Sequence, residues 1–534
     1  MPNVLTEQEY GILSPAMLEG VREDFPHVLL PQAVHPDSQN VFVRDGEVHR
    51  MRGRLKEMLD ALNVKVQTPD AQYIRKYHTH VNTNAEYSVF CATLRHVYLW
   101  STATKTWDLR YTASADVDHW SFTSFNGQVI MANWIDYVQH WHDTTTAVNF
   151  APFDSASGLL IGTGLYCTRA KYVTNYENRL IIGYLQEGGN TYPCRIRWSS
   201  LGDEEDFNEA GAGDTGSKDF LGDDFLKGFG VYGTQFKYLI VFKGASYYRG
   251  WSVTSDVVIQ WATQAGNVGL LATDSIVYDR QDRMYFLASD RTIRELSRGN
   301  ISAAVQPTLR ELNPTYESYA CATMIDEYGL LWWSVPIGSG ATGNNKIISY
   351  DPERNIFTKM DFAISAFGSW VRQTVWTIDT WPYDTIDTIS QPTIDSVENV
   401  AGWPLDLAGD YSGYTYDLHS ADTDMTAAYT SFIVLTTDFS KGAGLRWFKR
   451  IVKLQFYFRS EGTGTALIEG KRDSEYNFQT IGTIDLTDAD STAIVRRNIG
   501  WSKRARDFQF KISATNHFRF MGVIIVYEPE AGDR

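Results

Sequence analysis

Two histidine pairs, His78-Thr-His80 and His140-Trp-His142, are the residues of this 534-residue chain best spaced to hold a metal. On a strand, residues two apart face the same way, so both imidazoles of a pair can reach one ion. A third ligand is required, and Asp136 or Asp143 supplies it only by an accident of folding, so hydrogen-bonded structural histidines are the plainer expectation. The second chemical feature is acidic. Residues 201–226 carry nine carboxylates (Asp203, Glu204, Glu205, Asp206, Glu209, Asp214, Asp219, Asp223 and Asp224) against Lys218 alone, with glycines interleaved. The D-x-D-x-D-G order of an EF-hand is missing, so a long, flexible, solvated insertion is expected, with a functional or inter-subunit role. A third feature is the stretch 373–440, which holds 11 acidic residues, Asp406 and Asp410 among them, and no Lys or Arg. A surface of one sign repels polyanions, and lining a tube it would keep DNA off the wall.

Most catalytic signatures are absent from the sequence: there is no GxSxG, P-loop, HExxH or sialidase-type Asp-box. Carboxylate pairs suited to glycoside hydrolysis can arise anywhere among 64 acids, so abundance alone points to no reaction. The chain is expected to be no enzyme and to need no cofactor or metal. Cys91, Cys167, Cys194 and Cys321 are far apart with no CxxC pair, which predicts buried free thiols.

The elements that must position these residues are strands. Aromatics make up 14% of the chain, an enrichment that favours pleated, half-buried surfaces. From about residue 70 to 420 one unit recurs: a short β-run, a turn, a second run with aromatics, then a polar loop. Tyr87–Leu94 with Val97–Trp100 is one such hairpin, and Trp120–Phe125 with Val129–Trp134 across Asn126-Gly127 is another. Tyr172–Tyr176 with Leu180–Tyr184, Gly228–Tyr232 with Tyr238–Phe242, Ser275–Tyr278 with Met284–Leu287, and Ala320–Ile325 with Leu330–Val335 continue the series. A period of about 40 to 55 residues with four strands per unit is what a β-propeller produces. Six or seven units are counted, the segment 409–416 being a candidate closing blade; an elongated set of sandwiches is the rival arrangement.

The fold class expected is therefore all-β, with a β-propeller-like body, an N-terminal arm and a C-terminal antiparallel β-sandwich. The arm is drawn over 1–45, with a short helix over 6–23 and breaks at Pro26, Pro31 and Pro36. The body is drawn over 46–430, with the acidic insertion near 201–226, and the sandwich over 431–534. A hairpin is predicted over 40–49 at Asp45-Gly46, and a helix over 54–62. Residues 441–534 carry 16 Lys/Arg against 11 Asp/Glu, so this basic piece contrasts with residues 1–440, which are net −21. The whole-chain charge of −16 argues against a sequence-reading DNA binder. The first residues show no basic segment followed by an apolar core, and no run reaches the roughly 18 apolar residues a membrane helix needs, so no leader and no membrane span are expected.

Several phrases resemble a family of bacteriophage virion proteins, the β-propeller tail nozzles of short-tailed phages. They are the run 36–53 (PDSQNVFVRDGEVHRMRG), Arg195-Ile-Arg-Trp-Ser-Ser-Leu-Gly-Asp203, Leu239–Tyr248, Gly266-Asn-Val-Gly269 and Asp274-Ser-Ile-Val-Tyr278. The resemblance spans about residues 30–530 and rests on structural phrases. It implies a structural role: a hexameric ring of this chain below the portal and its adaptor, in contact with other tail proteins, through which double-stranded DNA passes without specific binding. It implies a protein made in the host cytoplasm and residing in the virion tail. Asp203, Glu204, Glu205, Asp206, Asp223, Asp224, Asp406 and Asp410 are the candidate lumen or contact residues. The alternative is a host-receptor or carbohydrate-binding propeller of the virion, with Trp332, Trp333, Trp376 and Trp381 as sugar-stacking platforms.

Overall fold

The computed structural model describes residues 9–13, 20–24, 34–44, 46–55, 66–82, 87–101, 104–142, 149–153, 157–211, 214–233, 237–253, 258–262, 268–370, 405–421, 424, 428–436, 448–459, 464–473, 475–487 and 494–530. These residues are nearly all strand. Gln306–Arg310 is the one α-helix among them, and no helix is long and apolar enough to cross a membrane.

Seven antiparallel sheets follow one another along the chain. Blade 1 contains Lys76–Val81, Tyr87–Ala92, His96–Ser101 and Thr106–Thr112. Blade 2 contains Ser121–Phe125, Gln128–Ala132, Gln139–His142 and Ala151–Pro152. Blade 3 has five strands, Leu159–Gly162, Leu165–Tyr176, Arg179–Glu187, Asn190–Trp198 and Gly216–Asp219. Blade 4 contains Leu226–Tyr232, Tyr238–Lys243, Tyr247–Ser252 and Ile259–Trp261. Blade 5 contains Val277–Tyr278, Met284–Leu287, Ile293–Glu295 and Gly299–Asn300. Blade 6 contains Cys321–Ile325, Leu330–Val335, Lys346–Asp351 and Ile356–Met360. Blade 7 contains Ala366–Trp370, Leu405–Gly409 and Thr415–Ala421, and takes its fourth strand, Gly53–Leu55, from far upstream.

Side-chain alternation assembles these sheets into a ring. In blade 4, Leu239 and Val241 point into a core shared with blade 3, while Ile240 and Phe242 point into one shared with blade 5. In blade 2, Val129 and Met131 face blade 1, while Ile130 and Ala132 face blade 3. Trp333 packs towards blade 5 and its neighbour Trp332 towards blade 7. A strand buried on both faces reads as a continuous apolar run, which is why the central strands lack polar alternation. The ring closes where Tyr77 and Val89 of blade 1 share a core with Ala366 and Leu407 of blade 7. Packing there is close enough that a Cβ on Gly368 would stand 2.6 Å from the Tyr77 side chain. Among the described residues each blade shares a core with both of its neighbours, so each depends on them for burial.

The C-terminal sandwich stacks two sheets over a core that includes Ile451, Leu454, Phe456, Phe508, Phe510 and Ile525. Phe448–Arg459 and Arg519–Glu530 pair in one sheet, and Thr465–Arg472 and Phe508–Ala514 pair in the other. The N-terminal region is woven into both sheets. Residues 9–13 pair antiparallel with 523–527, Asp37–Gln39 pairs with Ser431–Thr436, and Arg519 and Phe520 pair with His49 and Val48. The boundary drawn at 45/46 falls inside the hairpin of Val41–Arg44 and Glu47–Arg50, whose second strand belongs to the sandwich. The helix expected over 6–23 is replaced, where described, by Glu9–Leu13 and Gly20–Val21 in strands, because the last strand offers Glu9–Leu13 a backbone edge to pair with. The helix expected over 54–62 gives way at its start to the blade-closing strand, and 56–65 lies outside the described residues.

The sandwich is fixed to blade 6 by buried polar contacts. Asn40 donates its backbone N–H to the Lys359 carbonyl, and its side-chain oxygen accepts from the Asp361 N–H. The Lys359 ammonium lies 2.6 Å from Glu23 and 2.8 Å from Asp37. Arg50, 1% exposed, donates to Ser431 Oγ and the Tyr429 carbonyl with its guanidinium over the Tyr429 ring.

Candidate functional site

Residues of all seven blades line an axial cavity of about 250 Å³, most of them at or just before the start of a blade's first strand and, in blade 3, within its second strand. Blade 1 contributes Tyr73 and Arg75, blade 2 His119 and Trp120, blade 3 Lys171 and Tyr172, and blade 4 Lys227. Blades 5, 6 and 7 contribute Thr273 with Asp274, Tyr319 with Cys321, and Ser365, and Tyr411 closes the rim. Asp274 lies on the cavity wall, paired with the Lys76 ammonium and 3.6 Å from His119 Nδ1. Burial raises the Asp274 carboxyl, but Lys76 and His119 outweigh it and hold the group below the ordinary range. Burial pushes His119 down to about 4 against the pull of Asp274, so its ring is neutral at pH 7.

The other charges lie nearer the mouth. Lys171 Nζ is 3.7 Å from Asp118, and Arg75 donates to the Asp118 backbone carbonyl at 2.6 Å. The Arg75 guanidinium sits over the rings of Tyr73 at 4.7 Å and Tyr319 at 5.2 Å. Lys171 is held below the ordinary lysine value by burial and by the like charge of Lys227, with Asp118 opposing.

None of the eight acidic residues singled out in the sequence lines this cavity. The acidic segment lies at the surface, but most of its carboxylates are bound by the protein's own donors. Glu204 is buried and accepts from Asn126 Nδ2 at 2.6 Å and Gln128 Nε2 at 2.5 Å, both on blade 2. Asp203 Oδ1 accepts the backbone N–H groups of Glu205 and Asp206, and Asp206 accepts from Ser200 Oγ and the Asn208 N–H. Glu205 and Asp223 are exposed. Asp214 pairs with Arg179, which holds its carboxyl down at about 2. Arg197 bridges the buried Glu187 to Glu209, and Arg195 bridges Glu187 to Asp219. Asp224, on the connection to blade 4, lies 2.7 Å from the ammonium of Lys243, whose side chain is fully buried, and accepts from the Ala245 N–H and Ser246 Oγ.

Blade 7 holds the remaining two apart. Asp410 accepts the N–H groups of Ser412 and Tyr414 and the Tyr416 hydroxyl, capping its own turn. Asp406 sits in a half-buried acidic group with Asp326 and Asp417, and burial followed by those like charges pushes its carboxyl up to about 7. The structure thus gathers Asp203, Glu204 and Asp206 in one loop and leaves Asp223 and Asp224, Asp406, and Asp410 in three separate places. The signal for the loop was present in Arg195 and Arg197, two apart on one strand and so on one face, opposite the acids that follow.

The histidine pairs are structural. His78 Nε2 and His80 Nδ1 both hydrogen-bond with Ser124 Oγ at 2.9 Å, and His140 Nδ1 hydrogen-bonds with Gln128 Oε1 at 3.1 Å. Burial and the neighbouring His80 hold His78 at about 3. Asp136 accepts from Ser114 and Asn133, and Asp143 lies outside the described residues. Among the described residues no group of three His, Cys, Asp or Glu side chains converges on a metal position. Cys91, Cys167 and Cys321 are buried free thiols, and Cys194 is half-buried. Trp332 and Trp333 are fully buried between blades and present no face to a sugar, which removes them as platforms. Trp376 and Trp381 lie outside the described residues.

No protein-family model matches the chain, and no curated protein matches its sequence. Among solved structures it is similar to one titled YCF48 bound to D1 peptide, at 8% identity and a TM-score of 0.34, over 66% of this chain and 96% of that one.

Proposed function

We propose that this chain is a structural protein of a virion tail, one copy in a ring through which DNA leaves the particle. The observation that carries the reading is the double closure of the fold. Gly53–Leu55 completes the last blade, and strands before it, Glu9–Leu13 and Glu47–Arg50, are tied into the sandwich by pairing with Arg519–Glu530. A part that must hold its shape while a polymer is driven past it gains from this kind of closure, because opening the ring at blade 7 requires breaking the pairing of Gly53–Leu55 with Thr415–Ala421. The phrases shared with tail nozzles support the same reading. Its electrostatic half rests on the net charge of residues 1–440, −21, which discourages DNA from adhering. The partners under this reading are further copies of the chain, a portal adaptor and neighbouring tail proteins, and the residence is the virion.

The experiment is the mass of the full chain in solution by native mass spectrometry, with negative-stain images of the same sample. Hexameric rings or stacked tubes are expected. A monodisperse monomer at tens of micromolar, unchanged by raising the concentration, overturns the ring. The second reading, a receptor- or sugar-binding propeller of the virion, is favoured by the tyrosine- and cation-lined axial cavity, and binding by a protein that stays monomeric would select it.

A further inference from the structure

We propose that the axial cavity binds a small acidic sugar of the hexuronate class, its carboxylate between Lys171 and Lys227 and its ring against the tyrosines of the opposite wall. The cations come first. Lys227 lines the cavity, yet its ammonium makes no ion pair and no hydrogen bond among the described residues. Lys171 shares one carboxylate, Asp118, whose side chain is 69% exposed and which also accepts from the Tyr319 hydroxyl. Two ammonium groups of like sign facing one space repel each other, and an anion between them converts that repulsion into two charge-assisted contacts. Arg75 adds a further donor, since its Nε is buried without a hydrogen-bond partner.

The shape of the other wall selects a ring. Tyr73 and Tyr411 lie 6.0 Å apart and Tyr316 and Tyr319 6.3 Å apart, each pair tilted, around the Arg75 guanidinium. Tyr411 is 38% exposed and offers a face at the rim. A bare anion would satisfy the lysines and leave Tyr316 and Tyr411, the rings that Arg75 does not cover, without a ligand, and a neutral sugar would stack and leave the lysines facing each other. An acidic monosaccharide uses both, with Asp118 placed to accept from a hydroxyl. The cavity has room for about one such ring. Wide aromatic lining with a few convergent polar groups is the ordinary character of a small-molecule site.

The test uses the full chain and glucuronate, with glucose and acetate as the neutral ring and the ringless anion. Saturation-transfer NMR and calorimetry are expected to show glucuronate bound with a Kd of about 1 mM or tighter, and glucose and acetate at least about tenfold weaker. Lys227→Ala and Tyr316→Ala are each expected to weaken glucuronate by about tenfold at an unchanged melting temperature. The proposal is overturned if glucuronate fails to bind at about 10 mM, if glucose or acetate matches it, or if Lys227→Ala of native melting temperature binds equally well. Ring assembly is measured separately, so a monomer that binds glucuronate removes the tail ring and leaves this site standing.

Discussion

Lys243 places an ammonium in the interior, which a protein tolerates only where a counter-ion and further acceptors are built around it. Asp224 and the Leu221 carbonyl supply them. Removing one partner of a buried pair leaves the other charged and unsolvated, so Lys243→Ala should lower stability by about 3 kcal/mol in denaturant titration. Exposed Asp223→Ala, one residue from the same pair, should change it by less than about 0.5 kcal/mol. Asp406 behaves in the opposite sense. Its folded pKa, about 7, lies above the ordinary carboxylate value, so the folded chain binds more protons than the unfolded one between about pH 4 and 7. Its contribution is therefore complete at low pH and is lost as pH rises through 7. Asp406→Asn, which cannot ionise, should be more stable than the parent at pH 8 by about 2 kcal/mol, allowing for partial exposure, and should flatten that part of the profile. Thermal melts of both proteins from pH 5 to 8 measure it, and parallel curves would dismiss the acidic group as their cause. At this scale the sequence was only half legible. The acids of 201–226 could be counted, but their neutralisation depends on Arg179, Arg195 and Arg197 lying on one sheet with them, and a count of charges carries no sheet.

The blades were the most readable elements, because a strand covered on both sides must be apolar at every position. Runs such as Leu239–Phe242 and Leu330–Val335 are found where they were expected. The N-terminal strands were not readable. Glu9–Leu13 has a helix-compatible composition and no partner within 500 residues of sequence, so nothing local distinguishes it from a helix until the last strand is in place. The same distance hid Gly53–Leu55, whose partner begins at Thr415. Deleting residues 1–55 removes the fourth strand of blade 7 and every N-terminal strand of the sandwich. It leaves long unpaired edges, which recruit other chains. The truncated chain should melt at least about 10 °C lower and sediment as aggregate.

For the whole molecule, a negative body beside a positive sandwich sets up a field that two copies can satisfy by placing unlike regions together. Association between copies should therefore weaken as salt rises from about 50 mM to 500 mM, where screening shortens below the spacing of surface charges. Sedimentation velocity across that range gives the answer, and assembly indifferent to salt would place the contacts on apolar surface instead. The strand exchange between chain ends also bears on synthesis. Translation runs at about 5 to 20 residues per second, so the strands at 37–50 leave the ribosome tens of seconds before 519–530 exist to receive them. The blades can close once Thr415–Ala421 meets Gly53–Leu55, but the sandwich strands wait with open edges until the last strand arrives. A chaperone that shields bare strand edges during translation would act on this chain more than on one whose sandwich strands are contiguous.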